Sequence, residues 1–178
     1  MDLFLFEQIN QLAGNWNWLD AMMRFLSSAG YIIVILIIIS LLFTKKRSWG
    51  FIGVVSLLVS LGINYIVKTA VSRPQPFSTH DVTLLIERST SPSFPSDQAV
   101  IMGVCSVILF FVHRKLGVTA FVLALFVIFS RVFVGHHYPM DVLAGLLVGF
   151  VVTACISKVW NRRERRSRFT PSYTRHFP

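Results

Sequence analysis

The chain is 178 residues long, 54% hydrophobic and only 14% charged, far more apolar than an ordinary water-soluble domain. That balance excludes a soluble globular protein, and four to six spans of about 20 residues would use most of the length, leaving room for one membrane-embedded domain. The formal charge of +9 does not indicate a nucleic-acid partner, because the cations gather at the ends of apolar runs and form no basic stripe interleaved with aromatics.

Residues 3–12 are apolar but too short to span, and the turn-like run from Gly14 to Trp18 follows them. Residues 1–19 therefore read as an amphipathic helix lying in the interface, with Trp16 and Trp18 at headgroup depth; a shallow re-entrant insertion is the alternative. Asp2 and Glu7, with no basic stretch before an apolar one, argue against a cleavable signal peptide. Five longer apolar stretches come next, at about 20–43, 50–71, 97–112, 117–135 and 140–160. The segment from Ser72 to Ser96 carries Pro74, Pro76, Pro92 and Pro95 and reads as a loop.

The fold class is thus all-α, a polytopic transmembrane helical bundle of about five spans. Its core covers 20–160, and a basic tail over 161–178 contacts anionic lipid. Cys105 and Cys155 lie inside apolar runs and read as small buried hydrophobes. With five spans, the clusters at Lys45–Arg47, at Arg114 and Lys115, and from Lys158 to Arg168 fall on one side, which marks it as cytoplasmic. The long loop, Lys68, Arg73, Ser96, Arg131 and His137 then share the outer side.

Three segments carry chemistry. Lys68 and Arg73 stand at the outer end of the second span, either as snorkelling anchors or as an anion clamp in which Arg73 offers a planar fork and Lys68 a point charge. Ser96, in Ser93-Phe94-Pro95-Ser96-Asp97-Gln98, is placed as the N-cap of the third span; ordinary capping explains it, and so does a helix N-terminus that offers N–H groups to a phosphate. In the third segment, Ser130-Arg131 precedes His137, Pro139 and Asp141. Pro139 suits a first helical turn, and the spacing lets Asp141 accept from one imidazole nitrogen of His137, leaving the other as a nucleophile. His136 projects elsewhere and reads as supporting. No metal-ligand spacing stands out, and no metal or cofactor is expected.

Together these segments resemble the type 2 phosphatidic acid phosphatase superfamily, whose pattern is a lysine followed by Arg-Pro, then Pro-Ser-Gly-His, then Ser-Arg-x5-His-x3-Asp. The third element matches from Ser130 to Asp141, and the resemblance covers about residues 20–160. It implies that Lys68, Arg73 and Arg131 grip the phosphate, that Ser96 and the backbone of Asp97 complete the cradle, and that His137, oriented by Asp141, becomes a phosphohistidine. Two departures stand out. Four residues separate Lys68 from Arg73 where the family usually has six, and Asp97-Gln98 replaces Gly-His. Ser-Phe-Pro-Ser-Asp looks like the matching segment of bacterial undecaprenyl diphosphate phosphatases of the bacitracin-resistance kind. An amide at Gln98 cannot hand a proton to the leaving group, so a slow enzyme is expected.

The resemblance therefore implies hydrolysis of undecaprenyl diphosphate, a polyprenyl lipid partner, at the outward face of a bacterial inner membrane. A phosphatidylglycerol phosphate or phosphatidate phosphatase is the nearest rival. A non-catalytic lipid-phosphate binder and a small transporter follow; against the transporter, the ionisable residues collect at span ends. Membrane lipids are the remaining expected partners.

Overall fold

The structure, a computed structural model, describes residues 1–169, with side-chain environments described through Arg162. Most of the expected basic tail lies outside those described side chains. Seven helices form among the described residues: α1 (Asp2–Asn10), α2 (Asn17–Leu41), α3 (Arg47–Val71), the single turn α4 (Pro76–Thr79), α5 (Asp97–Val112), α6 (Arg114–Phe133) and α7 (Pro139–Phe169). The five expected stretches correspond to α2, α3, α5, α6 and α7. Four of these are long and apolar enough to cross a membrane, while α5 has only 16 residues.

The shortness of α5 goes with its position. Every residue from Ala99 to Ser106 is buried, so α5 has no lipid-facing stripe over these turns, as expected of a helix apolar on all sides, and only Phe110 and Phe111 at its far end are exposed. It is the axis of the bundle, wrapped by α7, α6, α3 and α2. The approach of α7 to α5 is close, because glycines remove the side chains between the two backbones. A Cβ on Gly145 would stand 2.4 Å from the Ser96 carbonyl oxygen, one on Gly149 2.3 Å from that of Val100, and one on Gly103 2.6 Å from that of Leu146. This contact sets the N-terminus of α5 against the first turns of α7.

Two turns shape the same end of the bundle. Helix α3 ends at Ser72, which adopts a left-handed conformation (φ 46°), and Pro74 prevents the helix from resuming. Between α6 and α7, Gly135 takes φ 90°, which a side chain would resist, and every residue from Val134 to Tyr138 is buried.

Helix α1 is built into that end. Phe6 is 1% exposed with its ring 5.5 Å from Tyr138. The buried Asn10 donates to the carbonyls of Thr83 and Phe133, both at 2.9 Å, and accepts from the Thr83 N–H. Trp16 and Trp18 stand exposed beyond it. Of the two cysteines only Cys105 is buried; Cys155 lies on the outward surface of α7, where alternate faces of a spanning helix meet lipid.

Candidate active site

The α6–α7 turn holds two adjacent histidines by one acceptor, since the N–H groups of His136 and His137 both donate to the Arg131 carbonyl, at 3.1 and 3.3 Å. The His137 ring is 3% exposed. Its Nδ1 lies 2.9 Å from the Ser93 carbonyl oxygen but 3.9 Å from the nearer Asp141 oxygen. The direct carboxylate contact expected from the sequence is therefore replaced by a bridge. The Ser93 hydroxyl donates to Asp141 Oδ2 and also lies 3.3 Å from Nδ1. The Tyr138 N–H donates to the same carboxylate oxygen at 2.9 Å. With Nδ1–H donating to Ser93, the lone pair resides on Nε2.

Burial, aided by the charges of Arg131 and Arg88, lowers the His137 imidazole to about 4 against the opposing pull of Asp141, so the ring is neutral at pH 7. Burial first, then Arg131, does the same for His136. The His136 Nε2 pairs with the Ile86 carbonyl at 2.8 Å, while Nδ1 is buried without a partner.

Arg131 is 2% exposed. One guanidinium nitrogen donates to the Ser27 hydroxyl at 2.6 Å, and Nε and Nη2 are buried without partners. The Ser96 hydroxyl and the Gln98 Oε1 atom are likewise buried and unpaired. Ser96 stands at the N-cap of α5, and its N–H donates to the Asp141 carbonyl at 3.0 Å, which joins α5 to α7. Unpaired buried donors are costly, and a guanidinium, a hydroxyl and a helix N-terminus of this kind are the groups that bind phosphate oxygens.

Of the other three expected phosphate ligands, Lys68, Arg73 and Asp97, both cations are already paired with carboxylates. Lys68 Nζ pairs with Asp97 Oδ2, and Asn64 donates to Asp97 Oδ1 at 2.7 Å, so the side chain of Asp97 participates and not its backbone alone. Arg73 has one nitrogen 2.8 Å from Asp141 Oδ1 and another 2.7 Å from Asp2 Oδ2, with its guanidinium 3.8 Å over the Tyr138 ring. Leaving six residues after Lys68, the family spacing, leads to Gln75, followed by Pro76. Gln75 is 1% exposed; its amide nitrogen donates to the His136 carbonyl at 3.4 Å and its oxygen accepts from the Ser91 N–H at 3.0 Å.

Ser93, Ser27, Asn64, Gln75 and Asp2 were not among the expected site residues. Ser93 lies within the segment that carries Ser96, Asn64 one helical turn before Lys68, and Gln75 at the family spacing, so each had a local signal. Ser27 and Asp2 had none. Among the described residues no group of three or more His, Cys, Asp or Glu side chains could hold a metal ion.

Residues 49–165 match the family model described as the PAP2 superfamily. The chain is 32% identical over 155 residues to the undecaprenyl-diphosphatase BcrC of Bacillus subtilis, covering 85% of this chain and 80% of that one. It is 31% identical to an undecaprenyl-diphosphatase of Sulfolobus acidocaldarius, over 84% of this chain and 72% of the other. Among solved structures, LpxE of Aquifex aeolicus superposes with a TM-score of 0.79 at 23% identity, covering 88% of this chain and 94% of its own. A PAP2-type phosphatidylglycerolphosphate phosphatase of Bacillus subtilis gives 0.73 at 23% identity, with coverages of 90% and 86%.

Proposed function

We propose, from the premise that the chain belongs to the PAP2 superfamily and is a membrane lipid phosphatase, that its substrate is undecaprenyl diphosphate, cleaved to undecaprenyl phosphate and inorganic phosphate. The observation that carries this reading is the pairing of a buried Arg131, with two unpartnered nitrogens, and a neutral His137 whose Nδ1 is held by Ser93. The similarity to the two undecaprenyl-diphosphatases supports the choice of lipid. The basic clusters at the opposite end of the bundle support an outward-facing site.

In the first step Nε2 of His137 attacks the terminal phosphorus. The N–P bond forms as the P–O bond to the bridging oxygen breaks, and undecaprenyl phosphate departs with the electron pair. The phosphorylated imidazole is cationic; Nδ1–H remains on the Ser93 carbonyl, with the Asp141 carboxylate behind it. Water then attacks phosphorus, the N–P bond breaks, and both hydrogens of the water leave with the phosphate. Arg131, the Ser96 hydroxyl and the α5 N-terminus hold the non-bridging oxygens as charge develops.

A phosphate monoester is a weakly basic leaving group, so the first step needs little acid. Gln98 cannot assist with a proton at either step, and lost general acid–base help costs about 100- to 10,000-fold. The test is phosphate release from undecaprenyl diphosphate in detergent by the chain and its Gln98→His and His137→Ala variants. Gln98→His raises turnover by at least about 100-fold, and His137→Ala abolishes it. Release from none of the three, or undiminished release by His137→Ala, overturns the reading.

A further inference from the structure

The positive charge around the site is mostly matched already. Lys68 is paired with Asp97, and Arg73 with both Asp141 and Asp2. Both site histidines are neutral at pH 7. Arg131 is the remaining cation within the cradle, yet a terminal phosphoryl group alone carries about 1.5 to 2 negative charges, and a diphosphate adds a second phosphate.

The loop that leads into α5 supplies another cation. The Leu85 N–H donates to the Val134 carbonyl at 3.3 Å, and the Ile86 carbonyl is held by His136 at 2.8 Å. Further on, the Ser91 N–H donates to Gln75, whose amide nitrogen meets the His136 carbonyl. The exposed bridge over residues 87–90 thus has both feet on His136, one directly and one through Gln75. Arg88 sits on this bridge, within about 7 Å of backbone from Ile86. Among the described residues no hydrogen bond or ion pair holds Arg88, not even to its exposed neighbour Glu87. The anchoring of Ile86 and Ser91 to His136 and Gln75 keeps this bridge beside the turn, and in keeping with that the charge of Arg88 opposes protonation of both His136 and His137.

We propose that Arg88 binds the inner phosphate of a lipid diphosphate, the one that stays on the lipid, and so gives the site its preference for diphosphates over monophosphates. With the terminal phosphate seated between Arg131 and His137, the inner phosphate points toward the rim, where a free guanidinium fork can take two of its oxygens. Arg88 contacts no reacting atom in this arrangement and acts on selectivity. The assignment rests on the diphosphatase reading above.

The test compares kcat and KM for farnesyl diphosphate and farnesyl phosphate, using the full chain in detergent and the variants Arg88→Gln, Arg88→Lys and, at the opposite end, Lys115→Gln. Arg88→Gln raises KM for the diphosphate about tenfold, the scale of one lost charge-assisted hydrogen bond. The monophosphate KM stays within about twofold, Arg88→Lys recovers part of the loss, and Lys115→Gln changes neither. An equal rise for both lipids would make Arg88 a general attractor of anionic headgroups, and no change for either would remove it from the site; both results overturn the proposal. If the wild type releases phosphate from neither lipid, the phosphatase reading fails on its own, and Arg88 is judged by direct binding of the two lipids, where the same split, or its absence, decides.

Discussion

The nucleophilic role proposed for His137 requires that one ring nitrogen keep its lone pair, and burial secures that well below neutral pH. His137 is lowered to about 4 against about 6.5 in an unfolded chain. The acid limb of kcat/KM is therefore expected near pH 4 and not near pH 6.5. Stability carries the same signature: between those values the unfolded chain binds the extra proton, so stability is complete above about 6.5 and is lost as pH falls toward 4. A pH–rate profile with its acid limb at 6.5 would show that the ring is hydrated in solution. The pairing of His137 with Asp141 was legible from spacing alone, but its geometry was not. An i, i+4 contact needs both residues on one helix, whereas His137 lies in the turn before α7 begins at Pro139, and Ser93 fills the gap. The Asp2–Arg73 pair had no sequence signal at all, because only the docking of α1 brings those residues together.

At the scale of helices, the catalytic end depends on how closely α5 and α7 approach. Ser96 and Asp141 are joined across that seam, and Gly145 and Gly149 allow it. Gly149→Ala forces a methyl to 2.3 Å from the Val100 carbonyl oxygen, backbone that cannot swing aside. A loss of about 1–3 kcal/mol is expected, read as a lowered Tm in detergent together with reduced activity. Gly62→Ala, on α3 where an added methyl meets nothing within 4 Å, is the control and is expected to hold or raise Tm. Equal melting temperatures for the two variants would mean that the helices are not in such close contact. The bounds of α5 could be read from the sequence because Ser96 and the proline-rich loop mark its start. Its place at the centre follows from contacts on every face, which a count of apolar residues does not distinguish from exposure to lipid.

For the whole molecule, alternation of helices puts the loop before α5 and the basic α2–α3 and α5–α6 connections at opposite ends. A cysteine introduced at Ser89 is expected to react with an impermeant thiol reagent on intact cells, and one at Lys45 only after lysis; the reverse pattern would place the site in the cytoplasm. The apolar runs made the bundle legible because they are a property of composition along the chain, and charge placement is the ground for the proposed orientation. The docking of α1 against the site end is a property of assembly, expressed in Phe6 and Asn10 and visible only once the helices are packed.

The brevity of α5 has a further consequence. It ends beside the start of α6 yet has 16 residues to that helix's 20, which at about 1.5 Å per residue leaves its site end about 6 Å short of the end of α6. The floor of the proposed phosphate cradle is thus recessed from the end of α6. A recessed floor lets a lipid phosphate reach the site with its hydrocarbon still dissolved in the bilayer. At about 0.8 kcal/mol for every methylene lifted into water, drawing a long hydrocarbon chain out of the bilayer would otherwise be costly.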